Sequence, residues 1–139
     1  MESGARRTGE TKATGFQVGA RRTFAVSVDR AWELVTSAEG MGVWLGGGRP
    51  PELEQGAEYR LRDGSAGEVR VVGPSHLRLT WRPKGWARAS TVQVRVIEQD
   101  ERAVIAFHQE HLPGAEEREL RKAHYLGALD ELERLLGSD

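Results

Sequence analysis

The segment AEERELRKAHYLGALDELERLLG, residues 115–137, is the one long stretch of helical period in this chain of 139 residues. Tyr125, Ala128, Leu129, Leu132 and Leu136 fall on one stripe of it, while Arg121 and Lys122 interrupt that stripe in its first half. Glu116 and Glu117 suit its N-terminus, Arg134 its C-terminus and Gly137 its C′ position. Almost everything before it has the period of strands. Six strands at about 4.8 Å spacing span nearly 30 Å, whereas one helix covers about 10 Å. A sheet with apolar inward faces can cover them with a lone helix only by curling around it. The expected fold is therefore α+β and helix-grip: a curved antiparallel sheet of six or seven strands around a long C-terminal helix. Such a sheet tends to leave a gap under the less apolar half of the helix, to be occupied by a ligand or water, or filled by the four Trp side chains.

The strand signals are specific. In QVGARRTFAVSVD, Phe24, Val26 and Val28 alternate with Ala25 and Ser27, predicting a first strand with one buried face. Asp29 is the expected N-cap of a short helix, RAWELVTS, and Ser37 that of a second, AEGMGVWLG. GGGRPPELEQG reads as a loop. AEYRLR places Tyr59 and Leu61 on one face, and GEVRVV turns at GPS into HLRLTW, where Leu77, Leu79 and Trp81 share a face. TVQVRVI sets Val92, Val94 and Val96 against Gln93 and Arg95, and the nearly continuous apolar run AVIAFHQE reads as a central strand. Short connections such as EQDER favour an antiparallel meander.

Composition narrows the functional classes. With no cysteine, disulfides, thiolate catalysis and thiolate metal sites are excluded. The net charge of −1 provides no global field for nucleic acid or an anionic membrane. No apolar run reaches the roughly 18 residues of a membrane span. The expected partners thus include neither nucleic acid nor membrane, and the expected location is cytoplasmic. The composition of MESGARRTGETKATG predicts a disordered tail over residues 1–15, followed by one domain over 16–139.

FAVSVDRAWELVTSAEGMGVWL (24–45), GEVRVVGPSHLRLTW (67–81) and HLPGAEERELRKAHYLGALDELERLL (111–136) together resemble the homologues of the activator of the heat-shock-protein-90 ATPase. That family lies in the START-type, birch-pollen-allergen-like superfamily (SRPBCC). The chain departs from its pattern in two places: His124-Tyr125 stand where the family commonly has Gly-Trp, and Gln109 where it often has a histidine. The resemblance implies the helix-grip fold. It also implies a range of roles, because the superfamily includes lipid and hormone carriers, aromatic polyketide cyclases, hydrolases and co-chaperone domains.

Expected to line the space under the helix are Trp44, Tyr59, Trp81, Val94, Phe107, Gln109, Tyr125 and Leu129, each of which is first of all a core position. Trp86, beyond the Pro83 turn, is the candidate for a partner surface, or else a loop residue tucked onto its own domain. His108 and His111 stand three apart and point to opposite faces of an unbent strand, so no metal site is expected. No cofactor and no catalytic residue is assigned, because no nucleophile stands beside an evident base. The leading expectation is a non-enzymatic domain that binds a small apolar or aromatic molecule. The second is an interaction module that stimulates a heat-shock-protein-90-type chaperone, and the third a cyclase- or hydrolase-type enzyme, which requires a buried polar cluster of Gln109, Tyr59 and Tyr125.

Overall fold

A computed structural model describes residues 10–11 and 15–137. The elements run β1 (Glu10–Thr11), β2 (Gly15–Phe24), α1 (Val28–Thr36), α2 (Ala38–Trp44), β3 (Glu58–Arg60), β4 (Ala66–Val72), β5 (His76–Trp81), β6 (Ser90–Gln99), β7 (Arg102–Leu112) and α3 (Ala115–Gly137). The strands form one antiparallel sheet in the order β1-β2-β7-β6-β5-β4-β3. The helix-grip architecture is as expected, and AVIAFHQE lies inside the sheet as β7, between β2 and β6. Of the tail expected over residues 1–15, most lies outside the described residues. Within it, Glu10–Thr11 pair with the start of β2.

Three local expectations need correction. The first strand ends at Phe24, so Val26 and Val28 are not strand residues, and its buried face is Phe16, Val18, Ala20 and Phe24. The cap of α1 is Ser27 rather than Asp29: its Oγ accepts from the Arg30 amide at 3.1 Å, and Asp29 lies in the first turn, where the helix dipole favours a carboxylate. Apolar alternation continued past Phe24 only because Val28 begins the helix. Gly137 is still helical instead of following the helix. Ser37 does cap α2, accepting from the Gly40 amide at 3.0 Å.

The parities of β5 and β6 are as predicted, with Leu77, Leu79, Trp81, Val92, Val94 and Val96 all buried. β6 and β7 are joined by Asp100 and Glu101, both at positive φ (53° and 62°), the conformation of a tight hairpin turn whose twist matches its strands. Near its end β7 carries a bulge: the register slips between Phe16 and Val18 of β2, and His111 takes φ 65°. Helix α3 packs against β2, β7, α1 and α2. Its buried residues are Tyr125, Ala128, Leu129, Leu132 and Leu136, the predicted stripe, and residues 115–124 contribute none.

Candidate functional site

What holds the first half of α3 to the sheet and to α2 is a series of polar straps. Arg118 Nε donates to the Gln17 carbonyl at 2.8 Å, Lys122 Nζ to the Gly19 carbonyl at 2.7 Å, and His124 Nε2 bonds the Trp44 carbonyl at 2.8 Å. The fourth strap, Arg121, turns inward. Its Nε donates to Gln109 Oε1 at 2.9 Å and its Nη2 to the Tyr125 hydroxyl at 3.2 Å.

These contacts form one directional network. The Tyr125 hydroxyl donates to the same Gln109 Oε1 at 2.7 Å. Gln109 Nε2 donates to Ser90 Oγ at 2.8 Å, and Ser90 in turn donates to the Trp81 carbonyl at 2.7 Å. An arginine can only donate, so the amide of Gln109 has to present its oxygen to α3 and its nitrogen to β6. Gln109, Ser90 and Tyr125 are wholly buried, and each makes at least one hydrogen bond, as buried polar groups must.

Aromatic rings surround the network. The Arg121 guanidinium carbon lies 4.0 Å from the Trp81 ring centroid and 5.0 Å from that of Tyr125. Phe107 stacks on Tyr125 at 5.0 Å and meets Trp44 at 5.8 Å. Trp86 stands edge-on to Trp81 at 5.4 Å, and its carbonyl accepts from Arg82 Nη1. The space expected beneath the weaker half of the helix is therefore occupied by a cation lying on indole and phenol faces.

Burial and this cation set the local protonation. Burial raises the Tyr59 and Tyr125 phenols well above their ordinary range, and Arg121 only partly opposes it. His124 is lowered, first by burial and then by Arg121, so it sits neutral under α3 near pH 7. Both phenols accordingly act as hydrogen-bond donors, and neither serves as a base.

All eight candidate lining residues are buried. Trp44, Phe107, Tyr125, Gln109 and Trp81 meet in the one cluster described above. Val94 and Leu129 belong to the surrounding core. Tyr59 donates instead to the Thr80 carbonyl, reaching over the bare Cα of Gly67 opposite it in β4, and it faces a rim concavity of about 480 Å³. Of the buried cluster required by the third expectation, Gln109 and Tyr125 are bonded to one another, while Tyr59 is joined to them only electrostatically. Trp86 is half-buried against the core, the tucked arrangement. His111 is exposed on its bulge, and among the described residues no group of His, Asp or Glu is arranged to hold a metal.

Arg121 and Ser90 were not among the candidates. Ser90 has the parity of Val92 and Val94, which places it inward. Arg121 precedes Tyr125 by four residues on the inward stripe, and that spacing was the available signal.

Compared with known proteins, the sequence matches over residues 25–137 the family described as activator of Hsp90 ATPase homolog 1-like protein. The chain belongs to that family. No curated protein matches it. Similar solved structures include CalU16 from Micromonospora echinospora (TM-score 0.71, 18% identity, 82% of this chain and 71% of that one). An HSP90 activator from Plasmodium falciparum gives TM-score 0.70 at 18% identity, over 87% of this chain and 96% of that one. A protein from Mesorhizobium loti gives 0.72 at 18% identity, over 88% and 97%. At such identities the likeness to these family-like folds is one of architecture.

Proposed function

We propose that this member of the family binds a small apolar or aromatic molecule between the sheet and the N-terminal half of α3. One observation carries the reading: none of residues 115–124 is fully buried, yet they lie over an interior of aromatic rings. An apolar stripe resists lifting in proportion to its buried area, at about 25 cal/mol per Å². Polar straps exchange their partners for water at a net cost of only about 1 kcal/mol each. The first half of the helix is thus the cheaper part of the lid to move, and it covers the surface on which a flat hydrophobic guest would stack. In this reading Trp44, Phe107, Tyr125 and Trp81 contact the guest, Val94 and Leu129 form its floor, and Gln109 orients it. Tyr59 lies at the rim. No reaction is assigned.

Thermal unfolding in the presence of a library of hydrophobic and aromatic metabolites tests the proposal. A ligand at one hundred times its dissociation constant stabilises the folded state by about 2.7 kcal/mol. If no member of any chemical class shifts the transition, the reading is wrong.

A second reading is the chaperone-stimulating module. It is supported by the family match and by exposed arginines on the outer face of the sheet, Arg60, Arg70 and Arg95, which offer a complementary face to an acidic partner. It predicts that the chain accelerates the ATPase of a heat-shock-protein-90-type chaperone and that Trp86→Ala weakens this. An unchanged ATPase rate at saturating chain concentration would exclude it.

A further inference from the structure

Two hydrogen-bond donors without acceptors occupy the same corner of this site. Among the described residues, Trp81 Nε1 is the buried side-chain polar atom that has no hydrogen-bond partner. The ring that carries it is 8% exposed and lies directly under the Arg121 guanidinium. Arg121 hydrogen-bonds through Nε and Nη2 and not through Nη1, and among the described residues no carboxylate forms an ion pair with it; the exposed Asp63 feels it only at a distance. Three arginines elsewhere in the fold are paired with carboxylates: Arg22 with Asp130 and Glu133, Arg118 with Glu119, Arg134 with Glu131.

A half-buried cation without an ion-pair partner is costly because its hydration is partly removed, and a carboxylate at a distance across solvent, here Asp63, offsets little of that. Its network partners do not supply a counter-charge: Gln109 is neutral and Tyr125 is a neutral phenol. The surplus positive potential is felt around the site, where it opposes protonation of His124.

We propose that Arg121 and Trp81 recognise a carboxylate carried by the aromatic guest. The assignment rests on the ligand-binding reading above and gives it a substrate class, small aromatic or polycyclic acids. A carboxylate is planar and accepts two parallel N–H bonds, which suits the open Nη edge of a guanidinium held flat on an indole. The apolar body of the acid would then lie toward Phe107 and Trp44. A neutral guest of the same shape leaves the charge unmatched.

Titration calorimetry of the full chain with 2-naphthoate and its neutral isostere 2-naphthamide tests this. The expected result is that the wild-type chain prefers the acid by about tenfold or more, as one charge-assisted bidentate contact implies. Arg121→Gln should abolish the preference, read as the ratio of acid to amide affinity within the same variant. Arg121→Lys, which keeps the charge but loses the fork, should retain part of it, so a folding defect in one variant does not decide the matter. Trp81→Phe keeps an aromatic face, removes the N–H donor and should reduce the preference without erasing it. Equal affinity of the wild type for both compounds overturns the carboxylate assignment and leaves the aromatic-binding reading standing. Failure of both compounds and of the whole library overturns the two together.

Discussion

The hydroxyl of Tyr125 and the side-chain carbonyl of Gln109 are hydrogen-bonded at 2.7 Å, tying the middle of α3 to strand β7 inside an otherwise apolar layer. Gln109 Oε1 also accepts from Arg121, so this one oxygen terminates two donors. Replacing Gln109 with Leu strands a fully buried phenol and loosens the guanidinium; we expect a loss of about 2–3 kcal/mol. Tyr125→Phe removes a donor but leaves Gln109 bonded to Arg121, and should cost about 1 kcal/mol. Urea unfolding of the two variants checks the order; a larger loss for Tyr125→Phe would contradict the network as drawn.

The His124 strap makes stability pH-dependent. Its folded pKa lies below the ordinary 6.5, so the unfolded chain takes up the proton first as pH falls. The stabilisation is therefore complete above pH 6.5 and declines below it. His124→Gln, which keeps a donor for the Trp44 carbonyl, should flatten the change in unfolding free energy between about pH 7.5 and about pH 5.5. An identical slope in both proteins would dismiss His124 as its source.

The chain has two tyrosines, and both phenols are raised by burial. The ordinary value is 10.0, so the folded protein should show little phenolate absorbance at about pH 11. The same protein in denaturant should show both groups ionised. Stability must fall as pH rises above 10.0, because only the unfolded state releases these protons there. A spectrophotometric titration that reaches a full phenolate signal before unfolding would refute the burial of these rings.

Gly67 makes room for Tyr59. A Cβ at Gly67 would stand 1.9 Å from the Thr80 carbonyl oxygen and 2.7 Å from the Tyr59 hydroxyl. The first of these is backbone of the adjoining strand and cannot yield. Gly67→Ala should cost more than about 3 kcal/mol or break the pairing of β4 with β5. A folded variant of near-wild-type melting temperature would show that the two strands are not so close.

The sequence showed the scaffold of this molecule more clearly than its site, for a physical reason. Apolar alternation places Leu77, Leu79 and Trp81 inward because a strand gives each residue only two faces, and the helical stripe from Tyr125 to Leu136 follows as directly from a period of 3.6. Asp29 lost to Ser27 as a cap because both side chains suit the role, and only the backbone at the end of β2 selects between them. Arg121 appeared to interrupt an apolar stripe. It is an inward residue, but its direction depends on the breadth of sheet beneath it and on a glutamine a dozen positions away, neither of which a local pattern encodes. Ser90 was missed similarly, since its value lies in relaying a hydrogen bond from Gln109 to the Trp81 carbonyl.

The two kinds of fastening along α3 divide one unbroken helix into segments that let go under different conditions. Salt and acid act on the cationic, proton-sensitive half, whereas urea must dissolve the leucine-lined half before the domain opens as a whole. Backbone amides of residues 115–124 should accordingly trade protons for deuterium through small local excursions, and those beneath Leu129, Leu132 and Leu136 only through global opening. That pattern of exchange would mark a hinge made by side-chain chemistry alone, in a helix that carries no proline between Ala115 and Gly137.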